Sequence, residues 1–312
     1  MNKKIAFLFP GQGSQYVGMG KDFYDNYDVA REIFSKANEI LGFNLSKLCF
    51  EGPEEKLKLT EYTQPALLTV SYIAFKLLNF SPDIGAGHSL GEYSALTASQ
   101  ALKFEDALIL VHKRGKYMQE AVPVDYGAMA AILGVPGERI IEILKDIKDG
   151  IVEIANWNSE EQIVIAGEKK AVEKAVKLIN PPRAVFLPVS APFHCQLMKP
   201  AEEKLSKDLD NVEFNDLSFP IITNVDAKII SRGNEAREAL KRQVCKPVLW
   251  YKSMEVLGKN EYSIFIELGA GKVLSGLLKR ISRKWKKEIT ILNVEDSSSL
   301  ERARDLLSSL LK

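Results

Sequence analysis

The sequence predicts an α/β protein with a mainly parallel sheet and a smaller unit inserted into it. Short apolar runs alternate with segments of helical periodicity in the first third of the chain, which is typical of strands and helices that alternate. The middle of the chain changes to a different order of elements. The length of 312 residues also favours a large domain plus a smaller one.

The first third of the chain predicts two strands and four helices. The run Ile5–Phe9 ends at Pro10-Gly11, as expected for a buried strand that leads into a loop. Asp83–Gly87 is a weaker strand candidate because Ile84 is its only β-branched residue. Helices are predicted over Val29–Leu41, over Gln64–Leu78, directly after Ser89, and over Glu105–Gln119.

The middle of the chain predicts a ferredoxin-like βαββαβ unit. Its six elements are Ala128–Leu133, Pro136–Ile147, Val152–Asn156, Gln162–Ala166, Lys170–Leu178 and Ala184–Val189. We therefore assign residues 127–193 to a small subdomain, and residues 1–126 with 194–312 to the large domain. Farther along, strands are predicted at Pro220–Val225 and Ser263–Glu267, and a helix at Leu300–Leu311.

Composition and charge exclude several classes of protein. The 42 basic and 41 acidic residues leave a net charge of +1, and nothing indicates a nucleic-acid or membrane partner. Three scattered cysteines are typical of free thiols in a reducing compartment. The N-terminal apolar run is too short for a signal peptide, and no stretch is long enough to span a bilayer. We expect a cytoplasmic protein, and a monomer.

Residues 87–91 read Gly-His-Ser-Leu-Gly and carry the strongest functional signal. Glycines two positions before and after a serine fit a tight strand-to-helix turn that exposes the hydroxyl. Ser89 is therefore a candidate nucleophile that could hold an acyl group as an ester. The alternative is an ordinary helix cap, since Ser89 and Glu92 have the spacing of a capping box.

An activated serine needs a base, and the chain has only three histidines. His88 is adjacent to Ser89, so its side chain must leave the turn in another direction, and we expect it in a supporting role beside the substrate. His112 lies in a predicted regular helix and is expected to be a packing or surface residue. His194 lies in a proline-broken loop at the predicted domain junction, where catalytic groups are common, and is our candidate base.

Seven motifs, in order, resemble the malonyl-CoA:acyl carrier protein transacylases, an acyltransferase family, from about residue 5 to about residue 295. They are Gln12-Gly-Ser-Gln15, Thr63-Gln-Pro-Ala66, Gly87-His-Ser-Leu-Gly-Glu92, Arg114, Ala191-Pro-Phe-His194, Gln243-Val-Cys-Lys-Pro-Val248 and Glu267-Leu-Gly-Ala-Gly-Lys-Val273. The resemblance implies an α/β-hydrolase-like large domain with a ferredoxin-like insert. It also implies that Ser89 and His194 act as a catalytic pair.

The resemblance implies further roles for the residues around this pair. The main-chain carbonyl of Gln243 would orient His194 in place of a carboxylate. The backbone N–H groups of Gln12 and Leu90 would form the oxyanion hole, and their positions suit that role.

For the substrate, the resemblance assigns Arg114 to the free carboxylate of a malonyl group. A planar guanidinium can bind a carboxylate through two parallel hydrogen bonds, whereas the alternative for Arg114 is a solvated basic helix face. Phe193 would leave little room for an α-methyl branch on the acyl group. Gln64 and Asn156 match polar positions of the acyl pocket and His88 lies beside it, although Gln64 and Asn156 could equally be ordinary capping or loop residues.

Two glycine-containing runs fail as nucleotide motifs. Tyr16 stands where a dinucleotide fingerprint needs glycine, and Val273 stands where a phosphate loop needs serine or threonine. No grouping has metal-ligand spacing, so we expect no metal and no cofactor besides the substrates. A basic cluster, defined as Lys279, Arg280, Arg283, Lys284, Lys286 and Lys287, could steer an acidic acyl carrier protein, or be only a solvated helix face.

The resemblance thus implies an acyltransferase that moves a malonyl group from CoA to the phosphopantetheine thiol of acyl carrier protein. Fatty acid biosynthesis is the expected pathway, and polyketide synthesis is the alternative that the sequence leaves open. The reaction would proceed by a ping-pong route through Ser89. One alternative is a serine hydrolase or thioesterase on the same framework. Another is a non-catalytic binding protein of acyltransferase-like fold.

Overall fold

A computed structural model describes residues 3–189 and 191–310 of the chain. The described part contains ten strands, which are β1 (Lys4–Phe9), β2 (Ile84–Gly87), β3 (Gly127–Leu133), β4 (Val152–Ser159), β5 (Gln162–Glu168), β6 (Arg183–Phe186), β7 (Ile221–Ile222), β8 (Ile229–Ile230), β9 (Tyr262–Leu268) and β10 (Thr290–Val294). Its first seven α-helices are α1 (Lys21–Asn26), α2 (Asp28–Leu41), α3 (Leu45–Glu51), α4 (Glu54–Leu57), α5 (Thr60–Leu78), α6 (Leu90–Ala98) and α7 (Phe104–Glu120). The remaining seven are α8 (Gly137–Lys145), α9 (Lys169–Ile179), α10 (Lys199–Asp210), α11 (Gly233–Gln243), α12 (Trp250–Lys259), α13 (Val273–Ile281) and α14 (Ser297–Leu310).

A six-stranded sheet forms the centre of the large domain, with strands in the order β10-β9-β1-β2-β7-β8. The first five strands in this order pair in parallel, and only β8 pairs antiparallel, with β7. Because parallel strands point the same way, the carboxyl ends of β1 and β2 lie side by side, with Phe9 opposite Gly87. The predicted fold class, with a mainly parallel sheet, is confirmed.

The central sheet is buried on both faces. Alternate residues of β1 enter different hydrophobic clusters, with Phe7 and Phe9 in one and Ala6 and Leu8 in the other. This burial on both faces explains why Ile5–Phe9 is a continuous apolar run rather than an alternating pattern.

A second sheet of four strands, in the order β4-β5-β3-β6, packs against α8 and α9 around a separate apolar cluster that includes Ile132 and Ile165. All of its pairings are antiparallel. This is the strand order of a βαββαβ unit. The boundaries at residues 127 and 193 stay a prediction, and Ser190 within them lies outside the described residues.

The two sheets are joined beside the site that Ser89 occupies. Asn156 of β4 forms a parallel bridge with Val248, which lies just before α12. The amide of Val248 donates to Ala155 O at 2.9 Å, and the amide of Trp157 donates to Val248 O at 2.9 Å. These backbone hydrogen bonds fix β4 to the large domain.

Several predicted elements differ from the observed ones. The predicted strand Pro220–Val225 is only the two-residue β7, because Asn224 turns away to hold the Ser89 loop. The predicted strand Ala184–Val189 ends three residues early, at Phe186. The C-terminal helix begins at Ser297, before the predicted start, and the predicted last residue, Leu311, lies outside the described residues.

Helices α1, α3, α4 and α10–α13 and strands β8 and β10 were not predicted. Within the described ranges, none of the helices combines the length and the apolar character that a membrane crossing needs.

Candidate active site

Ser89 occupies a tight turn between β2 and α6, at the carboxyl edge of the central sheet. Two glycines make this turn possible. A Cβ atom on Gly87 would lie 1.9 Å from the carbonyl of Gly91, and a Cβ atom on Gly91 would lie 2.0 Å from Phe9 O. Strand β2, helix α6 and strand β1 therefore approach one another so closely that only glycine fits at positions 87 and 91.

The backbone of Ser89 has φ 52° and ψ −107°, a conformation that residues other than glycine rarely adopt. Its side chain makes no capping hydrogen bond to α6, and the Glu92 carboxylate binds elsewhere. The capping-box interpretation is therefore wrong. Asn224 supports the turn, because its Oδ1 accepts from Ser89 N at 2.7 Å and its Nδ2 donates to Gly87 O at 2.6 Å.

His194 lies against Ser89, as the sequence predicted, although 105 residues separate the two in the chain. Ser89 Oγ lies 2.8 Å from His194 Nε2, and His194 Nδ1 lies 2.9 Å from the main-chain oxygen of Gln243. A carbonyl oxygen can only accept, so Nδ1 carries the proton and Nε2 is free to accept the one from Ser89. Gln243 O thus occupies the place that a carboxylate has in a serine protease triad.

The imidazole of His194 is held in an unusual environment. The residue is only 3% exposed and has φ 61°, in the left-handed region. Burial, followed by the nearby positive charge of Arg114, lowers the pKa of His194 to about 3. The ring is therefore neutral, and able to accept a proton, throughout the neutral and mildly acidic range.

Arg114 of α7 points into the site rather than to solvent and is 1% exposed. Its Nη2 donates to Ser89 Oγ at 3.1 Å and to Gln243 Oε1 at 2.9 Å, and its Nη1 donates to Gln64 Oε1 at 2.8 Å. The guanidinium also lies over the Tyr93 ring, 5.5 Å from its centroid. The solvated-face alternative is therefore wrong.

The guanidinium of Arg114 has uncharged acceptors in all three of these hydrogen bonds, namely two glutamine oxygens and a hydroxyl. Burial lowers the pKa of this group, but arginine stays protonated in proteins. A buried cation with neutral partners attracts an anion strongly, because little water screens it. An anionic substrate group that reaches Ser89 would therefore bind here.

Gln12 and Leu90 lie on the two adjacent loops that follow β1 and β2. Leu90 is the first residue of α6, so its N–H points out of the helix end. Within residues 3–189 and 191–310, neither backbone N–H donates a hydrogen bond. The side chain of Gln12 is held by Thr60, with Nε2 3.3 Å from Oγ1. Both amides are thus available to an incoming oxygen atom.

His88 is tied to the four-stranded unit rather than to the nucleophile. Its Nε2 lies 2.8 Å from Asn158 Oδ1, and its ring packs against Trp250 at 5.6 Å between centroids. Asn158 was not predicted. Asn156 was predicted as a site residue. Its backbone pairs with Val248, and its side chain hydrogen-bonds to no residue in the described ranges.

Phe193 is buried in the large hydrophobic cluster directly before His194, where it packs the loop that carries the base. His112, expected to be a packing or surface residue, lies with Nδ1 2.9 Å from Glu61 O and its ring 5.8 Å from that of Phe43. It is not among the residues that meet at Ser89.

Glu92, Asn224 and Asn158 are the site residues whose roles sequence reasoning missed. The Glu92 carboxylate is fully buried, and its Oε2 accepts from Gln243 Nε2 at 2.8 Å and from Asn224 N at 3.0 Å. A charged residue in the otherwise uncharged run of α6 was the available signal, because a buried carboxylate needs a reason.

A mainly parallel α/β sheet that presents a serine on a strand–helix turn against a histidine defines a class of enzyme. Members of this class pass an acyl group through a serine, either to water or to another acceptor. Known relatives then identify the family.

The family model for the acyl transferase domain matches residues 6–299. The chain is 46% identical, over 96% of each sequence, to a malonyl CoA-acyl carrier protein transacylase from Bacillus subtilis. It is similar to the structure of such a transacylase from Coxiella burnetii, with a TM-score of 0.94 and 38% identity over 98% of each chain. It also resembles a malonyl-transacylase solved in complex with its type II PKS acyl-carrier protein, with a TM-score of 0.93 and 41% identity over 97% of this chain and 99% of that one.

The chain belongs to the malonyl-CoA:acyl carrier protein transacylase family, whose members are acyltransferase enzymes. The family resemblance seen in the sequence is confirmed.

Proposed function

We propose that this protein transfers a malonyl group from CoA to the phosphopantetheine thiol of an acyl carrier protein, through an ester on Ser89. The observation that carries the proposal is the position of Ser89 Oγ, 2.8 Å from His194 Nε2 and 3.1 Å from Arg114 Nη2. One oxygen atom thus meets both a proton acceptor and a fixed positive charge. The family relatives support the same substrates.

In the first half-reaction, His194 Nε2 takes the hydroxyl proton while Ser89 Oγ attacks the thioester carbonyl. The carbonyl oxygen becomes negative and accepts from the amides of Gln12 and Leu90, which donate no other hydrogen bond in the described ranges. The C–S bond breaks, the proton on His194 passes to the leaving sulfur, and CoA departs as a thiol. The malonyl group stays on Ser89 as an ester.

In the second half-reaction, the carrier's thiol enters and gives its proton to His194 as its sulfur attacks the ester. The C–O bond breaks, the serine oxygen recovers the proton from His194, and malonyl-carrier leaves. This ping-pong route uses no metal and no redox cofactor. Throughout, the distal carboxylate of the malonyl group binds Arg114, whose buried charge has only neutral hydrogen-bond acceptors.

Intact-mass measurement after incubation with malonyl-CoA tests the proposal. We expect one malonyl adduct per chain, located on Ser89 by peptide mapping, and none on Ser89→Ala. The adduct should persist in buffer and be discharged within seconds by phosphopantetheinylated carrier protein. An adduct that decays equally fast without a thiol would instead indicate a hydrolase, and no adduct would indicate a binding protein.

We also propose that the basic cluster receives the carrier protein. Lys279 and Arg280 lie at the end of α13. Two members of the cluster contact the β4–β5 turn, where Arg280 Nη1 donates to Gln162 Oε1 at 3.0 Å and Lys284 pairs with Glu160. Lys279 and Arg283 are exposed. Positive charge here would raise the association rate of an acidic partner.

Reversing two of these charges should weaken carrier binding. For Lys279→Glu with Arg283→Glu we expect the KM for carrier protein to rise about tenfold at low salt and less at high salt, because salt screens exposed charges. Steady-state kinetics at two ionic strengths measures this. Lys170→Glu with Lys177→Glu makes the same charge change on the exposed face of α9 and is the matched control. If the KM for carrier protein rose equally in both double variants, the basic cluster would have no specific role in docking.

Phe193 should restrict the acyl group to unbranched malonyl. For Phe193→Ser we expect the ratio of methylmalonyl to malonyl loading to rise about tenfold, since the smaller side chain makes room for a methyl group. Competitive loading with an equimolar mixture of the two CoA thioesters, read by intact mass, measures the ratio directly. An unchanged ratio would show that another residue sets this preference.

We place the enzyme in fatty acid biosynthesis in the cytoplasm, as a monomer. The three cysteines are free and buried, which supports a reducing compartment. Loading assays against carrier proteins from fatty acid and polyketide pathways would test the pathway.

A further inference from the structure

We propose that Glu92 is a positioning residue of this site, which orients Gln243 and Asn224 and takes up a proton when a carboxylated acyl group is loaded beside Arg114. This inference rests on the proposed function, because it requires the acyl group to reach Ser89. It assigns a role to a carboxylate that the transfer steps leave unused, and that is, among the residues the structure describes, the one buried carboxylate in contact with the groups around the nucleophile.

Glu92 determines which way the Gln243 amide faces. A carboxylate oxygen accepts but cannot donate, so Glu92 Oε2 at 2.8 Å holds the NH₂ end of Gln243. The same NH₂ donates to Ser89 O at 3.0 Å. The carbonyl end of the amide must then face Arg114 Nη2, at 2.9 Å. With the amide reversed, NH₂ would face the guanidinium and Arg114 would lose an acceptor.

Glu92 also fixes the backbone on both sides of the nucleophile. It accepts from Asn224 N at 3.0 Å, and the Asn224 side chain in turn bonds Ser89 N and Gly87 O. The backbone oxygen of Gln243, meanwhile, accepts from His194. One carboxylate thus holds the two residues that position the nucleophile, the base and the arginine. It touches none of the reacting atoms itself.

The charge of Glu92 can change without disturbing these contacts. Oε2 accepts both hydrogen bonds, whereas Oε1 is buried and has no partner in the described part of the chain. A proton on Oε1 therefore leaves both bonds in place. Burial raises the pKa of Glu92 to about 7, with the hydrogen bonds from Asn224 and Gln243 and the charge of Arg114 opposing that rise.

Loading a malonyl group changes the charge around Glu92. In the free enzyme Glu92 and Arg114 share the site, linked through the Gln243 amide. A malonyl carboxylate bound to Arg114 adds a second negative charge to the same buried volume. A nearby negative charge raises the pKa of a carboxyl group, so loading should favour the protonated form of Glu92. An acetyl group, which carries no charge, should leave Glu92 as it was.

The other charged groups around Glu92 do not titrate in the same range. Asp226 and Arg242 form an ion pair at 2.6 Å, which lowers the pKa of Asp226 and raises that of Arg242. Burial raises the pKa of Tyr93 well above its usual range, and His194 titrates at about 3. Between pH 6 and pH 8, Glu92 is thus the group among these whose charge changes.

Proton uptake on loading tests the inference. Enzyme is mixed with stoichiometric malonyl-CoA in weak buffer with a pH indicator near pH 7, and intact mass is measured on the same sample. Ester formation itself releases no net proton, because the serine proton leaves on the CoA thiol. We expect about half a proton taken up per adduct in wild type, by linkage with a site that titrates near this pH, and none with acetyl-CoA or in Glu92→Gln.

A second readout is the ratio of malonyl to acetyl loading rates against pH. In wild type we expect the ratio to fall about fivefold between pH 6 and pH 8, which corresponds to a rise of about one unit in the Glu92 pKa on loading. Glu92→Gln keeps a carbonyl acceptor for Gln243 and Asn224 but cannot ionise, so its ratio should be level. Glu92→Ala removes the acceptor and should slow both loadings about a hundredfold, which Glu92→Gln should largely restore.

The outcomes separate the two proposals. Absence of any adduct contradicts the proposed function itself. Adduct formation with no proton uptake, or with equal uptake in wild type and Glu92→Gln, overturns the role of Glu92 and leaves acyl transfer intact. If Glu92→Ala does not fold, the comparison of wild type with Glu92→Gln still decides, because those two variants differ in charge and share the same acceptor.

Discussion

Replacing His194 with alanine is expected to slow malonyl loading of Ser89 by about a thousandfold, within the range that a positioned general base contributes. The loss follows from the geometry, because His194 Nε2 at 2.8 Å is the acceptor for the serine proton. Arg114, the other group on Ser89 Oγ, carries only donors and cannot replace it. Rapid-quench intact-mass measurement of the acyl adduct gives the rate.

His112→Ala is the matched control for this prediction. His112 of α7 has its Nδ1 against Glu61 O of α5 and contacts neither Ser89 nor His194, so the substitution should change the rate less than threefold. Because the pKa of His194 is lowered to about 3, the base stays unprotonated well below neutral pH. Acetyl loading in wild type should therefore stay level from pH 8 to pH 5. A loss of activity with a midpoint near pH 6.5, or a His194→Ala variant as fast as wild type, would contradict this assignment.

Replacing Arg114 with alanine is expected to lower malonyl loading by about a hundredfold while acetyl loading falls little or rises. A buried charge-assisted pair of hydrogen bonds contributes about 3 kcal/mol, and the acetyl group has no carboxylate to use it. The substitution thus changes selectivity rather than the chemistry at Ser89. Measuring both CoA substrates on one preparation makes acetyl loading an internal control for folding.

Arg114→Lys is the second variant, because it keeps a positive charge but loses the planar fork. We expect it to recover only part of the malonyl rate, since a single ammonium cannot donate to the carboxylate and also to Gln64 and Gln243. If Arg114→Ala lowered malonyl and acetyl loading equally, Arg114 would be supporting the site's architecture and not selecting the substrate.

The sequence predicts the central fold well where the buried surface of an element gives a clear apolar pattern. The strand at Ile5–Phe9 and the helix over Gln64–Leu78 are recognisable because each is apolar along the surfaces that it buries. By contrast, α10 and α11 are mostly polar, and the residues that they bury include small or polar ones such as Ala201, Ala236 and Gln243, so their apolar stripes are narrow. Strand β7 has two residues and could not be bounded from composition.

The candidate site divides in the same way. Ser89 and His194 were found from local motifs and from the scarcity of histidine, and the structure brings them together. Glu92, Asn224 and Asn158 were missed because their roles depend on partners 70 to 151 residues away in the chain. Asparagine and glutamate occur mostly in loops and on surfaces, so only the fold can distinguish these three from the rest.

At Ser89 the requirement for a stable backbone conflicts with the requirement for a reactive hydroxyl. A glycine in that position would relax the backbone and favour a more heat-resistant molecule, yet it would lack the hydroxyl on which turnover depends. At position 89, a substitution that raises stability would therefore abolish catalysis. Serine is therefore retained at this position for its reactivity, although glycine would fit the backbone conformation better.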